Sequence, residues 1–182
     1  MKKTEAIIKA ATEMFSQKPF HMVLMDDIAK TAGVAKGTLY YHYKSKEDLF
    51  IALMQSGLGE LLKNLKTELD GNTPIENLQI LFARLIRFFK QNHNFFEVLK
   101  REEGKLLSKK TKNCYERICS IKDLLHSILL KGVSEKYLRD DIDIDLSAEV
   151  ILGMIKSFVS NRSYTEDSEK ALFDLLLKGI QR

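Results

Sequence analysis

The sequence has few of the residues that interrupt helices or cross-link chains: 2 prolines, 9 glycines, 2 cysteines and no tryptophan among 182 residues. Because proline and glycine break helices, their scarcity favours long helical segments. Uncharged apolar runs fall far short of the roughly 18 residues that a membrane span needs, and the N-terminus shows no signal-peptide pattern. We therefore expect a soluble, cytoplasmic, mostly helical protein with no membrane partner.

Residues of metal and redox chemistry are also sparse. Cys114 and Cys119 stand five positions apart, which on a helix separates them by about 140°. Side chains so placed do not bridge easily, so we expect two reduced thiols, with redox sensing as the alternative. The histidines lack metal-ligand spacing, and neither a glycine-rich phosphate loop nor a nucleophile motif is present. The sequence thus predicts no enzyme, no metal and no cofactor.

Positive charge is concentrated at the N-terminus. Residues 1–46 hold eight lysines and four acidic residues, whereas residues 47–182 hold 21 basic and 21 acidic residues. The formal net charge of +4 therefore belongs entirely to the first part of the chain. A small basic module followed by a neutral one favours a polyanionic partner for the first module alone.

Apolar residues recur at helical spacing along nearly the whole chain, and no segment shows convincing strand alternation. A first helix starts near Thr4 and is stopped by Pro19, and two short helices meet at Gly33. A helix capped by Ser45 is predicted from about 46 to 69 and is broken at Gly71, and the next, with Thr73 and Glu76 as a capping box, runs from Pro74 to the turn at 91–94. Later helices are predicted from 95 to near Gly104, from Ser108 to about Lys131, after the cap Asp145, and after Thr165. The predicted fold class is all-α, with about nine helices.

The segment from Asp27 to Tyr40 has the pattern of a helix-turn-helix. Ala29 is the small residue where the two helices cross, and Gly33 tolerates the positive φ that the turn needs. The apolar residues that hold both helices to a third are Ile28, Val34 and Leu39. The exposed start of the second helix carries Lys36, a cation placed against the helix dipole. Residues that are unfavourable for local stability tend to mark functional sites, and a lysine at this position can reach a phosphate or the edge of a guanine. A solvated surface lysine is the alternative.

Motifs across the first 50 residues resemble the tetracycline-repressor (TetR) family of bacterial transcription regulators. They run in order from Ile7–Phe15 through Asp27–Ala29, Ala32–Val34 and Lys36–Tyr40 to Ser45–Leu49. The resemblance implies a DNA-binding domain at 1–60, with the helix-turn-helix at about 24–43. It also implies a larger helical domain for ligand binding and dimerisation at 61–182.

Carried over residue by residue, the resemblance implies DNA contacts from Lys36, Gly37, Thr38, Tyr40, Tyr41 and Lys46. We expect Lys36 to reach a base edge and Lys46 to contact only the phosphate backbone. Leu24 and Ala35 stand where family members commonly carry a hydroxyl cap. Both short helices are therefore expected to start without a side-chain cap, which removes two possible phosphate contacts.

The resemblance further implies a repressor that leaves a pseudo-palindromic operator in double-stranded DNA when a small, apolar effector binds. The candidate ligand-site residues are Phe82, Phe89, Phe96, Met154 and Phe158, with core packing as the alternative reading of each. A homodimer is expected through the last two helices, whose apolar residues are Ile151, Leu152, Ile155, Phe158, Leu172, Leu175 and Leu176. A DNA-anchored protein-interaction factor on the same fold is the alternative function.

Overall fold

A computed structural model describes residues 3–65, 72–107, 109–161 and 163–182 of the chain. Within these ranges the residues form nine α-helices, and the predicted all-α fold is confirmed. The helices are α1 (Lys3–Gln17), α2 (Met25–Thr31), α3 (Lys36–His42), α4 (Lys46–Leu65), α5 (Pro74–Gln91), α6 (His93–Glu102), α7 (Lys112–Ser134), α8 (Ile144–Ser160) and α9 (Glu166–Ile180). Of these helices, none combines the length and the apolar content that a membrane crossing requires.

Several helices begin at the caps that the sequence predicts. The Ser45 hydroxyl accepts a hydrogen bond from the backbone N–H three residues later at 3.1 Å. At α5, Thr73 Oγ1 accepts from the Glu76 N–H at 3.3 Å, and Glu76 Oε2 accepts from the Thr73 N–H at 2.8 Å. These reciprocal bonds satisfy N–H groups that have no partner in the first turn, and they lower the pKa of the Glu76 carboxyl. Thr165 caps α9 in the same way.

The start of α8 differs from the prediction. Asp143, not Asp145, caps this helix, and its Oδ1 accepts a hydrogen bond from the Leu146 N–H at 2.9 Å. Asp145 lies in the first turn, where its charge still favours the positive end of the helix dipole. The segment offers several carboxylates in a row, and only the backbone conformation selects the one that caps.

The end of α7 also differs, because the helix continues through Gly132 to Ser134. It stops where Lys136 adopts a φ of 65°, and the Tyr137 N–H donates to the Gly132 carbonyl at 2.9 Å. Glycine at 132 leaves room for Leu138, since a Cβ there would lie 2.7 Å from the leucine side chain. The α-helix starts at Lys112, after a 3-10 turn.

Two other predicted features, the start of that helix at Ser108 and the end of α4 at residue 69 with its break at Gly71, lie outside the described residues.

The chain divides into two compact units. The first contains Met1–Glu60 and Asn92–Arg117, and the second contains Leu61–Gln91 and Ile118–Arg182. Inside the first unit α6 packs on α1, so residues 92–117 group with the N-terminal helices rather than with the rest of 61–182. Inside the second unit α5 packs against α8 and α9. The functional division at residue 60 stays a prediction.

Three phenylalanine rings of the first unit pack together around the segment between α1 and α2. Phe15 of α1 stacks on Phe20 with ring centroids 5.4 Å apart, and Phe50 of α4 meets both rings edge-on at 6.0 and 5.5 Å. Offset and edge-to-face pairs of this kind add to the stabilisation from burial. The cluster therefore fixes the segment between α1 and α2.

Both cysteines are free thiols, as the sequence predicts. Cys114 is buried and Cys119 is half-buried on α7. Burial raises the pKa of the Cys114 thiol, so that this side chain is a neutral packing residue.

Candidate functional site

The turn between α2 and α3 has the geometry that the sequence predicts. Gly33 adopts a φ of 66°, which a residue with a side chain rarely takes, and the Val34 N–H donates to the Ala29 carbonyl at 3.0 Å. Ile28 of α2 and Leu39 of α3 are fully buried. These anchors fix one face of α3 against the rest of the unit and turn the other face to solvent.

The solvent face of α3 carries most of the residues that the sequence assigns to DNA. Lys36, Gly37, Tyr40 and Tyr41 are exposed, and Tyr41 is 76% exposed. Thr38 is half-buried beside the buried Leu39. Positions three and four apart on a helix share a face, which pairs Lys36 with Tyr40 and Gly37 with Tyr40 and Tyr41, so the four exposed residues form one continuous surface. We call Lys36, Gly37, Tyr40 and Tyr41 the α3 face.

Gly37 has no structural reason to be glycine in this chain. Its φ is not positive, and a Cβ added at this position would meet no atom within 4 Å. Glycine inside a helix destabilises it by roughly 1 kcal/mol relative to alanine. A bare backbone in an exposed first turn therefore suits the close approach of another molecule.

Lys36 is held by an acidic residue of α2. Its Nζ donates to Asp26 Oδ2 at 2.7 Å and lies 5.9 Å from the centre of the Tyr40 ring. The hydrogen bond and the charge of Asp26 raise the pKa of Lys36 above its ordinary value. The lysine is therefore a fixed cation on the α3 face, and Asp26 offsets its unfavourable position in the first turn.

Neither short helix has a side-chain cap, as the sequence predicts. Leu24 precedes α2 and Ala35 precedes α3, and neither position makes a side-chain cap hydrogen bond. Asp26 and Asp27 occupy the first turn of α2 and provide the negative charge that a helix N-terminus favours.

Lys46 has a structural role that the sequence does not reveal. Its Nζ donates to the carbonyl oxygens of Val23 at 2.8 Å and His21 at 3.3 Å, and it lies 4.7 Å from the centre of the Phe20 ring. An ammonium group has three N–H donors, so one remains for a phosphate oxygen. Lys46 thus ties the start of α4 to the segment that leads into α2.

A buried carboxylate also holds this segment. Glu102 of α6 accepts the Phe20 N–H through Oε1 at 3.2 Å and pairs through Oε2 with Lys105 Nζ at 2.7 Å. Lys105 Nζ lies 3.8 Å from the centre of the Phe20 ring. The sequence signals only the short-range pair between Glu102 and Lys105, whereas the bond to Phe20 spans 82 positions.

The five candidate ligand-site residues fall in both units. Phe96 belongs to the first unit, and the other four belong to the second. Phe82 is buried with its ring 5.4 Å from Phe173, and Phe158 is buried with its ring 4.9 Å from Tyr164. Phe89 and Met154 are only half-buried. The buried pair therefore has the contacts of core residues, while the half-buried pair is accessible from solvent.

Most of the residues predicted at the dimer seam are buried inside their own unit, which corrects that prediction. Ile151, Ile155 and Phe158 of α8 and Leu176 of α9 are buried, because these helices pack against α5. Another face of each helix is exposed. It carries Leu146, Val150 and Gly153 on α8 and Ala171, Leu175 and Gly179 on α9. We call these six residues the α8–α9 face.

Comparison with known proteins gives a consistent result. A sequence model described as bacterial regulatory proteins, tetR family, matches residues 7–53. The Fatty acid metabolism regulator protein of Bacillus subtilis is 25% identical over 181 residues, which cover 96% of this chain and 93% of that protein. The solved structure of the ketosteroid regulator KstR2 of Mycobacterium tuberculosis superposes with a TM-score of 0.87 at 23% identity, covering 100% of this chain and 96% of that one.

The solved structure of FadR from Bacillus subtilis in complex with stearoyl-CoA superposes with a TM-score of 0.80 at 24% identity. The match covers 97% of this chain and 99% of that chain.

The contacts of Lys46 predict a stability effect. Lys46→Met keeps the apolar stem but leaves the His21 and Val23 carbonyls without their charged donor, so we expect the free energy of unfolding to fall by about 1–3 kcal/mol. Urea denaturation followed by circular dichroism measures this loss. The matched control is Lys44→Met, an exposed lysine for which we expect a change within about 0.5 kcal/mol. Equal losses in both variants would contradict the structural role of Lys46.

Proposed function

We propose that this chain, whose residues 7–53 match the model of the tetR family of bacterial regulatory proteins, is a DNA-binding transcriptional regulator of that kind and that α3 reads its operator. A recognition helix lies in the major groove with its N-terminal residues at the base edges. The observation that carries the proposal is the α3 face, which is exposed along its length and fixed from behind by the buried Leu39. The local excess of lysine favours the same partner.

Each residue of the α3 face has a chemical role in this proposal. Lys36 donates to the O6 and N7 acceptors of a guanine. Gly37 lets the backbone approach the DNA closely. Tyr40 and Tyr41 offer hydroxyl groups to phosphates and ring edges to thymine methyl groups. Lys46 uses its remaining N–H for a phosphate oxygen.

We propose that two chains pair through the α8–α9 face. Leu146 and Val150, one turn apart on α8, are 61% and 50% exposed, and Leu175 on α9 is 65% exposed. Grouped apolar residues of this kind, unlike single ones, indicate an interaction surface. A Cβ added at Gly153 or Gly179 meets no atom within 4 Å inside the chain, so the glycines leave room for a second helix pair. A two-fold dimer presents two copies of α3 to successive major grooves and selects a pseudo-palindromic operator.

We propose that the chain is a repressor and that its effector is a long-chain acyl-CoA. The name of the Bacillus subtilis relative places it in fatty acid metabolism, and the solved FadR structure holds stearoyl-CoA. Phe89 and Met154 are the candidate residues of the second unit that remain accessible to an acyl chain. Binding of a ligand that prefers the DNA-free conformation lowers operator affinity by population shift.

A substitution at Gly37 tests α3 as the DNA-binding helix. Gly37→Ala should stabilise the free protein by about 0.5–1 kcal/mol, because alanine is the better helix former. The same Cβ should weaken DNA binding by about tenfold or more, a cost of at least about 1.4 kcal/mol. Fluorescence anisotropy with a duplex selected from a random pool measures affinity, and thermal unfolding measures stability. Gly104→Ala is the control, since that position is equally open and lies away from α3. Unchanged DNA affinity in Gly37→Ala would contradict the proposed contact.

A charge at the α8–α9 face should separate the two chains. Leu175→Glu places like charges in the proposed seam, so sedimentation velocity at micromolar concentration should show a folded monomer with little operator affinity. Leu130→Glu changes an equally large exposed leucine on α7, at 54% exposure, and should leave the dimer intact. A Leu175→Glu variant that sediments as the wild type does would rule out this seam.

Acyl-CoA should release the protein from DNA. We expect stearoyl-CoA to lower the fluorescence anisotropy of a labelled operator complex, whereas free coenzyme A should have little effect because it buries no acyl chain. Met154→Trp should weaken the response to stearoyl-CoA while operator binding without ligand stays as in the wild type. Release by free coenzyme A alone, or an unchanged response in Met154→Trp, counts against the proposed ligand and its site.

A further inference from the structure

The cation of the α3 face has an anion from α2 beside it. Lys36 Nζ and Asp26 Oδ2 lie 2.7 Å apart, and the two side chains are 63% and 57% exposed. Both residues stand in the first turn of a short helix, Asp26 in α2 and Lys36 in α3. Any DNA surface that meets Lys36 therefore also meets the Asp26 carboxylate within the reach of one side chain.

This ion pair opposes binding to phosphate alone. Asp26 already compensates the charge of Lys36, so a phosphate that approaches the ammonium gains little attraction and is repelled by the carboxylate beside it. Sequence-independent binding depends almost entirely on such phosphate contacts. The pair should therefore lower the affinity for DNA of arbitrary sequence.

The same pair is compatible with reading a guanine. The Lys36 ammonium has three N–H donors and gives one of them to Asp26, which leaves two. A guanine offers two acceptors in the major groove, O6 and N7, and the amino group of a nearby cytosine can donate a hydrogen bond to a carboxylate. Lys36 can thus contact the base while its bond to Asp26 persists.

We propose that Asp26 is a specificity-determining residue. By holding Lys36, it lowers the affinity for DNA that is bound only through phosphates more than it lowers the affinity for the operator. This inference rests on the proposed role of α3 in DNA binding. It assigns Asp26 a role in recognition itself, beyond the helix-dipole role that it shares with Asp27.

Asp27 provides a matched control in the same turn. It is exposed, carries the same charge and stands at the same helix end, and no ion pair of Asp27 occurs among the contacts found in the described part of the chain. Asp26→Asn and Asp27→Asn thus change the net charge and the dipole interaction alike, but only the first releases Lys36.

The experiment compares two duplexes, one selected by the wild-type protein from a random pool and one scrambled version of it. With Asp26→Asn, the affinity for the scrambled duplex should rise by about two- to fivefold per half-site, the size of an exposed ion pair, and the selected duplex should gain less. The salt slope on the scrambled duplex should steepen by about one per half-site. Asp27→Asn should change both duplexes alike, and Asp26→Glu should keep the wild-type specificity ratio.

Three outcomes would overturn the inference. One is an equal change of the specificity ratio in Asp26→Asn and Asp27→Asn, which would mean that Asp26 acts only through its negative charge and not through its bond to Lys36. Another is an effect of Asp26→Asn that persists in a Lys36→Met background, since no lysine is then released. The third is a Glu variant that behaves as the Asn variant does. If the wild type selects no duplex at all, the proposed function itself fails, and thermal unfolding of each variant separates these results from loss of folding.

Discussion

The position of α2 and α3 depends on how the segment around Phe20 is held. Each of these helices has seven residues and lacks a side-chain cap, and isolated helices of that length do not persist in water. The Phe20 ring packs on Phe15 and Phe50, its N–H donates to the buried Glu102, and Lys46 binds the carbonyls that follow. The α3 face is therefore presented by contacts from α1, α4 and α6 rather than by its own helix.

The lysines near α3 have different roles, although the sequence shows them only as one basic module. Lys36 is paired with Asp26, and Lys46 donates two hydrogen bonds to backbone carbonyls. Part of the positive charge is thus already engaged before DNA arrives. Affinity for arbitrary DNA should be lower than a count of lysines implies, which leaves more of the recognition to base contacts.

In the second unit, α8 and α9 each have a buried face and an exposed face. One face is buried against α5 and forms the core, and the other carries exposed aliphatic and small residues. An exposed apolar face of this kind is explained in our proposal by a second chain, which would replace water on the outer side of these helices. In this proposal the same helices would carry both the seam between two chains and a candidate ligand residue, because Met154 belongs to α8, which packs against the helix of Phe89.

The sequence by itself determined the features that depend on neighbours within a few positions. The all-α class, the helix starts at Ser45, Thr73 and Thr165, and the positive φ of Gly33 all follow from local propensity and capping. Local rules were ambiguous where more than one residue could cap the same helix, as with Asp143 and Asp145. The periodicity indicated that α8 and α9 are apolar, but it did not indicate which apolar face of each helix points into the core.

Only the tertiary structure decided the contacts between residues far apart in the chain. It brings Asp26 to Lys36, Lys46 to the carbonyls before α2, and Glu102 to Phe20. The physical reason is that such contacts depend on how helices pack, which is set by the whole core at once. No spacing rule within one helix contains that information.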